Sequence, residues 1–161
     1  MSDVSPVPEG MHTVQPYLVV PNAVEAMAFY EKALGAKQCL HMPGPGGQGT
    51  MHAEMRLGDS CIMITDENPE WEQKSPSTLG GSPVSFMLCV ENSDAAFEQA
   101  TAAGCQEIFP VTNMFWGDRM GKFVDPYGYQ WMVATHIEDV PPEEMGKRQE
   151  AWFAEMQSAG G

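Results

Sequence analysis

Positive charge is what this chain lacks most: 8 lysines and arginines stand against 22 aspartates and glutamates, a formal charge of −14. That balance repels phosphate backbones and anionic lipid, which argues against nucleic-acid and membrane partners. The excess acid fits solubility as well as it fits the steering of a cationic ligand. No apolar run approaches the roughly 18 residues of a membrane span. The opening MSDVSPVPEG lacks the basic start and apolar stretch of a signal peptide, so a cytoplasmic location is expected. The four cysteines (Cys39, Cys61, Cys89, Cys105) form no CxxC pair and no cluster with histidine at zinc spacing, and they read as free thiols. PGPGGQG at 43–49 has no following Lys and helix, and GxSxG is absent. These gaps remove the phosphate-loop and nucleophile-elbow chemistries.

What is present is a repeat. The chain has 161 residues, 43% of them hydrophobic, enough for one globular core. VQPYLVV at 14–20 is β-branched and aromatic and suits a strand. Asn22 sits at an N-cap position with Glu25 three residues on, the run AVEAMAFYEKAL has a helical apolar face, and Gly35 is placed to end it. Strands are then expected at Lys37–Met42, Thr50–Leu57 and Ser60–Thr65. The second half repeats the order, with a strand at Pro83–Val90, a helix DAAFEQATAA capped by Asn92 or Ser93 and stopped at Gly104, and strands at Glu107–Val111, Arg119–Val124 and Tyr129–Thr135. RLGDSCIMIT lies over FVDPYGYQWMVAT with a longer turn. Short turns between successive strands favour antiparallel pairing.

The expected fold is therefore α+β: two tandem βαβββ modules forming curved mixed sheets around a shared cleft, plus a C-terminal helix. Residues 1–13 read as a flexible lead, 14–66 as module one, 67–82 as a linker rich in Pro, Ser and Gly, 83–140 as module two, and 141–161 as the final helix and tail. Met145, Trp152, Phe153 and Met156 give that helix an apolar side, which suits closure of the domain or of a homodimer.

The stretches VQPYLVVPNAVEAMAFYEKALGA, HAEMRLGDSCIMITDE and FWGDRMGKFVDPYGYQWMVATH resemble the glyoxalase, bleomycin-resistance and extradiol-dioxygenase superfamily, also called the vicinal oxygen chelate group. The FWGDR and HAE segments look like its PhnB-like branch. The resemblance implies paired βαβββ modules. It also implies a divalent ion held by side chains from the first and last strands of each module. Carried onto this sequence, those positions are Gln15, Met63, Ser85 and Met132. Thioethers are poor ligands for hard or borderline ions, a lone hydroxyl is weak, and a catalytic ion needs about three protein ligands. No metal cofactor is expected at these positions. A divalent ion at a non-standard site, built from His52, Glu54 and Gln15, stays open.

Strand alternation places Gln15, Tyr17, Met63, Ser85, Met87 and Met132 on one cleft-facing side. His52, Glu54 and Arg56 share a face of their strand, and repeat alignment makes Arg119 the counterpart of His52. Phe115 and Trp116 are candidates for stacking at the rim. Two functions follow. One is a metal-free protein binding a small, partly apolar molecule in the pocket between the modules. The other is a lyase or isomerase using His52 and Glu54 for acid–base chemistry or holding a non-standard metal.

Overall fold

The computed structural model describes residues 4–159. In module one, β1 (Tyr17–Val20), α1 (Ala23–Leu34), β2 (Lys37–Pro43), β3 (Thr50–Leu57) and β4 (Ser60–Asp66) form a sheet of order β1-β4-β3-β2. A short helix α2 (Pro76–Leu79) lies in the connection. In module two, β5 (Ser85–Cys89), α3 (Ser93–Ala103), β6 (Gln106–Asn113), β7 (Asp118–Val124) and β8 (Gln130–His136) form a second sheet of order β5-β8-β7-β6. In each sheet the first and last strands are parallel and the other pairs antiparallel. The α+β double module is thus as the sequence pattern predicts, and α4 (Pro142–Ala159) ends the described chain.

Local chemistry explains the helix ends. Asn22 accepts a bond from the Glu25 amide at 3.2 Å, and Gly35 closes α1 in the left-handed conformation at φ 68°. Asn92, rather than Ser93, caps α3 through the Ala95 amide. The two modules then anchor their helices alike. The Asp66 carboxylate at the end of β4 accepts from the Ala23 amide at 2.6 Å, and the Thr135 hydroxyl at the same place in β8 accepts from the Ser93 amide at 2.8 Å.

Both helices lie on one side of the two sheets and touch each other. Leu18, Val20, Met55, Ile62 and Ile64 of module one are buried beneath them with Phe123, Trp131 and Val133 of module two, as one core. Gly121 is required where α3 crosses β7: a Cβ there would lie 2.7 Å from Phe97 and 2.8 Å from Val111.

The modules are joined by side chains, because β1 and β5 belong to separate sheets. Asp125, 4% exposed, accepts from the Tyr30 hydroxyl of α1 at 2.7 Å, the Trp131 indole at 2.8 Å and the amides of Tyr127 and Tyr129. Burial pushes this carboxyl above its usual range, and the four bonds oppose that shift. The Tyr129 hydroxyl donates to the Val19 carbonyl at 3.0 Å and accepts from the Val19 amide at 2.9 Å. One phenol thereby satisfies a backbone edge that a neighbouring strand would otherwise fill.

Candidate functional site

The faces turned away from the helices open on a common side, since α1 and α3 share the opposite layer. Strand register decides what stands there. Met63 lies between Tyr17 of β1 and Glu54 of β3. Met132 lies between Met87 of β5 and Lys122 of β7. The modules therefore correspond as Tyr17 with Met87, Glu54 with Lys122, Met63 with Met132, and His52 with Met120.

Module one gathers a polar trio on this face. The Tyr17 hydroxyl is 3.1 Å from His52 Nδ1, and His52 Nε2 is 3.3 Å from Glu54 Oε1. The phenol and imidazole rings meet edge to face, with centroids 5.6 Å apart. A neutral imidazole satisfies both contacts when Nε2–H donates to Glu54 and Nδ1 accepts from Tyr17. The His52 and Glu54 side chains keep 22% and 20% of their exposure. They are shielded from bulk water yet reachable by a ligand. A carboxylate that orients an imidazole is the arrangement general acid–base chemistry uses.

The remaining positions from the sequence fall in different places. Gln15 donates its side-chain amide to the His12 carbonyl at 3.0 Å. The segment before β1 is tied back over module one, since Arg56 donates to the Gly10 carbonyl at 2.6 Å. Ser85 is exposed and donates to the Gln130 side chain at 3.3 Å. Met63 and Met132 are half-buried and Met87 is exposed. The four donors of Gln15, Met63, Ser85 and Met132 (one amide, one hydroxyl, two thioethers) do not fit a catalytic divalent ion, whatever their separation. Among the described residues no three His, Cys, Asp or Glu side chains converge as a metal site would require.

Arg119 is a correction. It stands opposite Thr135 and on the helix side of β7, where its guanidinium grips Asp94 at the start of α3 with two bonds of 2.6 Å. The acid holds the arginine in its charged form and the guanidinium pulls Asp94 below the usual carboxylate range. The repeat alignment is one residue out of register in this strand, and a one-residue slip moves a side chain to the other face. Arg119 does not pair with His52 across the cleft. The neighbouring Asp118 accepts from the Trp116 indole at 2.8 Å and meets His136 Nδ1 at 2.8 Å.

Phe115 and Trp116 pack in company the sequence does not reveal. Trp152 of α4 lies 5.8 Å from the Phe115 ring and joins Trp116, Met114, Met120, Met132 and Ala134 in a second apolar cluster. Arg148 of α4 is held by Glu138 with bonds of 2.6 and 2.8 Å. The C-terminal helix thus covers part of the module-two face. Lys122 and Met120 share the strand face of Met132, a placement that the sequence reading misses. The signal was available: counting equal steps on either side of the β7–β8 turn, from the pair Val124 and Gln130, puts Lys122 beside Met132.

The sequence profile described as the Glyoxalase/Bleomycin resistance protein/Dioxygenase superfamily matches residues 11–133. The uncharacterised protein Rv0887c of Mycobacterium tuberculosis is 34% identical over 135 residues, covering 82% of this chain and 79% of its own. The X-ray structure of the At5g48480 product from Arabidopsis thaliana superposes with a TM-score of 0.62 at 26% identity, over 77% of this chain and 98% of that one. The structure of a putative 3-demethylubiquinone-9 3-methyltransferase, PhnB protein, from Bacillus cereus shares the fold, with a TM-score of 0.57 at 19% identity over 77% of this chain and 99% of that one. The chain belongs to the glyoxalase/bleomycin resistance protein/dioxygenase superfamily.

Proposed function

We propose that this superfamily member binds a small, partly apolar molecule in the cleft between the helix-free faces, without a metal ion. The observation that carries the reading is the Tyr17–His52–Glu54 trio facing outward beside Met63. It offers a polar anchor at one end, and Met87 and Met132 offer an adaptable apolar wall at the other. Phe115 and Trp116 would close the apolar end, and Lys122 would favour a ligand with an acceptor or an anionic group. Gln15 and Ser85 flank the site as minor polar contacts. The ligand's polar group replaces water on His52, which loses little, while its body covers methionine surface at roughly 25 cal/mol per Å².

Thermal-shift screening of small aromatic and amphiphilic compounds tests this. Hits are expected to lose about tenfold or more in affinity on His52→Ala and on Met132→Lys. A screen in which no compound stabilises the protein, or in which hits ignore both substitutions, contradicts the reading.

The bracketed imidazole also favours a second reading, a lyase or isomerase in which His52 moves a proton and Glu54 holds its tautomer. Chelator-resistant turnover that disappears on His52→Ala and survives Met132→Lys would select it over simple binding. In either case a homodimer in the cytoplasm is the proposed setting, with α4 at or near the subunit contact.

A further inference from the structure

The pseudo-twofold between the modules is broken at one place on the helix side, and the break leaves a cavity of about 520 Å³. Counting from the caps Asn22 and Asn92, Phe29 and Tyr30 of α1 correspond to Gln99 and Ala100 of α3. On the α1 side these rings pack with Tyr127 at centroid distances of 5.8 Å, and Tyr30 also meets Trp131 at 5.8 Å. On the α3 side there is no ring at either position, and the long turn bearing Tyr127 and Tyr129 is replaced by Gly58 and Asp59. The cavity lies there, bounded by Pro16, Leu34, Ser60, Cys89, Ala96 and Gln99. Its β5 side chains show the missing volume. Leu18 and Val20 of β1 are fully buried, whereas Leu88 and Val90, their counterparts, remain part-exposed.

The same symmetry defines the chemistry of the space. Tyr129 corresponds to Ser60, and Val19, whose amide and carbonyl the Tyr129 phenol brackets, corresponds to Cys89. The Val90 amide bonds to Ala134 of β8. In a strand alternate residues turn their backbone groups to opposite sides, so Cys89 points its N–H and C=O outward, toward the gap. The Ser60 hydroxyl cannot stand in for the phenol, because it is short and bonded to Asp59 at 3.1 Å. Among the described residues no lysine or arginine lines the cavity, which leaves a carboxylate or phosphate ligand without a counter-charge.

We propose that this cavity, which shares only Met87 with the cleft, is a second ligand site and that it takes a neutral phenol. The ring fills the space that aromatic side chains occupy in the other half, and the hydroxyl donates to the Cys89 carbonyl and accepts from its amide as Tyr129 does at Val19. The probe is p-cresol, with toluene as the isostere lacking the hydroxyl, followed by amide NMR shifts and thermal stability of the full chain. The expected result is a shift centred on the Cys89 amide, a raised Tm, and binding of toluene roughly tenfold weaker. Ser60→Tyr supplies the phenol from within the chain, and should raise Tm and abolish p-cresol binding. Gln99→Phe should block the cavity independently should the tyrosine variant fold poorly. His52→Ala, which tests the cleft, should leave p-cresol binding unchanged. The proposal is overturned by the absence of any Cys89 shift up to the solubility of p-cresol, by equal binding of toluene, or by p-cresol binding that survives Gln99→Phe and disappears on His52→Ala.

Discussion

Module one and module two share a backbone plan and an anchoring scheme, yet they differ on both faces. Facing the cleft, module one presents Tyr17, His52 and Glu54 where module two presents Met87, Met120 and Lys122. Facing the helices, module one fills its side with Phe29 and Tyr30, whereas module two places Gln99 and Ala100 there and leaves Leu88 and Val90 part-exposed. Helix caps and strand pairing are alike in both copies. The positions that differ between them include those that look into spaces shared by the two modules. A polar wall opposite an apolar wall is what a ligand with two unlike ends requires.

Breaking the tie between the modules should have the largest effect. Asp125→Ala strands the Tyr30 hydroxyl and the Trp131 indole in the core, and a loss of about 3–5 kcal/mol is expected in urea denaturation. Because burial raises the Asp125 carboxyl, the neutral Asp125→Asn should cost less than the alanine. Gly121→Ala forces a methyl against Phe97 and Val111, with a loss of about 1–3 kcal/mol. The corresponding position of module one is already Ala53, fully buried, so Ala53→Gly should not relieve any strain. Tyr129→Phe removes only the bracket on Val19, at about 1–2 kcal/mol.

The smallest effect concerns His136. Asp118 and Asp139 both bond its ring and raise it above the ordinary value of 6.5. A raised base stabilises the fold fully below its unfolded pKa, and that contribution is lost as pH rises through the folded value. Unfolding midpoints measured across this window, from just below pH 6.5 upward, should fall slightly more in the wild type than in His136→Gln. A wild-type midpoint that climbs relative to the variant over the same range would show that the aspartate contacts do not hold in solution.

The sequence carries the modular plan because its signals are local. An asparagine cap, a helix-stopping glycine and period-two alternation each act within a few residues, so α1, α3 and the buried identity of Leu18, Ile64 and Val133 can be read directly. Arg119 depends instead on a count carried across a turn. The β7–β8 turn is longer than the β3–β4 turn, so laying one module over the other leaves β7 one residue out of register. Trp152 and the helix-side cavity were hidden for another reason. Both depend on contacts between segments far apart in the chain, and an amphipathic pattern says that a face is covered without saying by what.

Metal content tests most directly the claim that this cleft reads its ligand through Tyr17, His52 and Glu54 and not through an ion. Protein purified without chelator should show no divalent transition metal at a stoichiometric level, in the wild type and in His52→Ala alike. One full equivalent of zinc, nickel, iron or manganese, lost on His52→Ala or Glu54→Ala, would contradict the account.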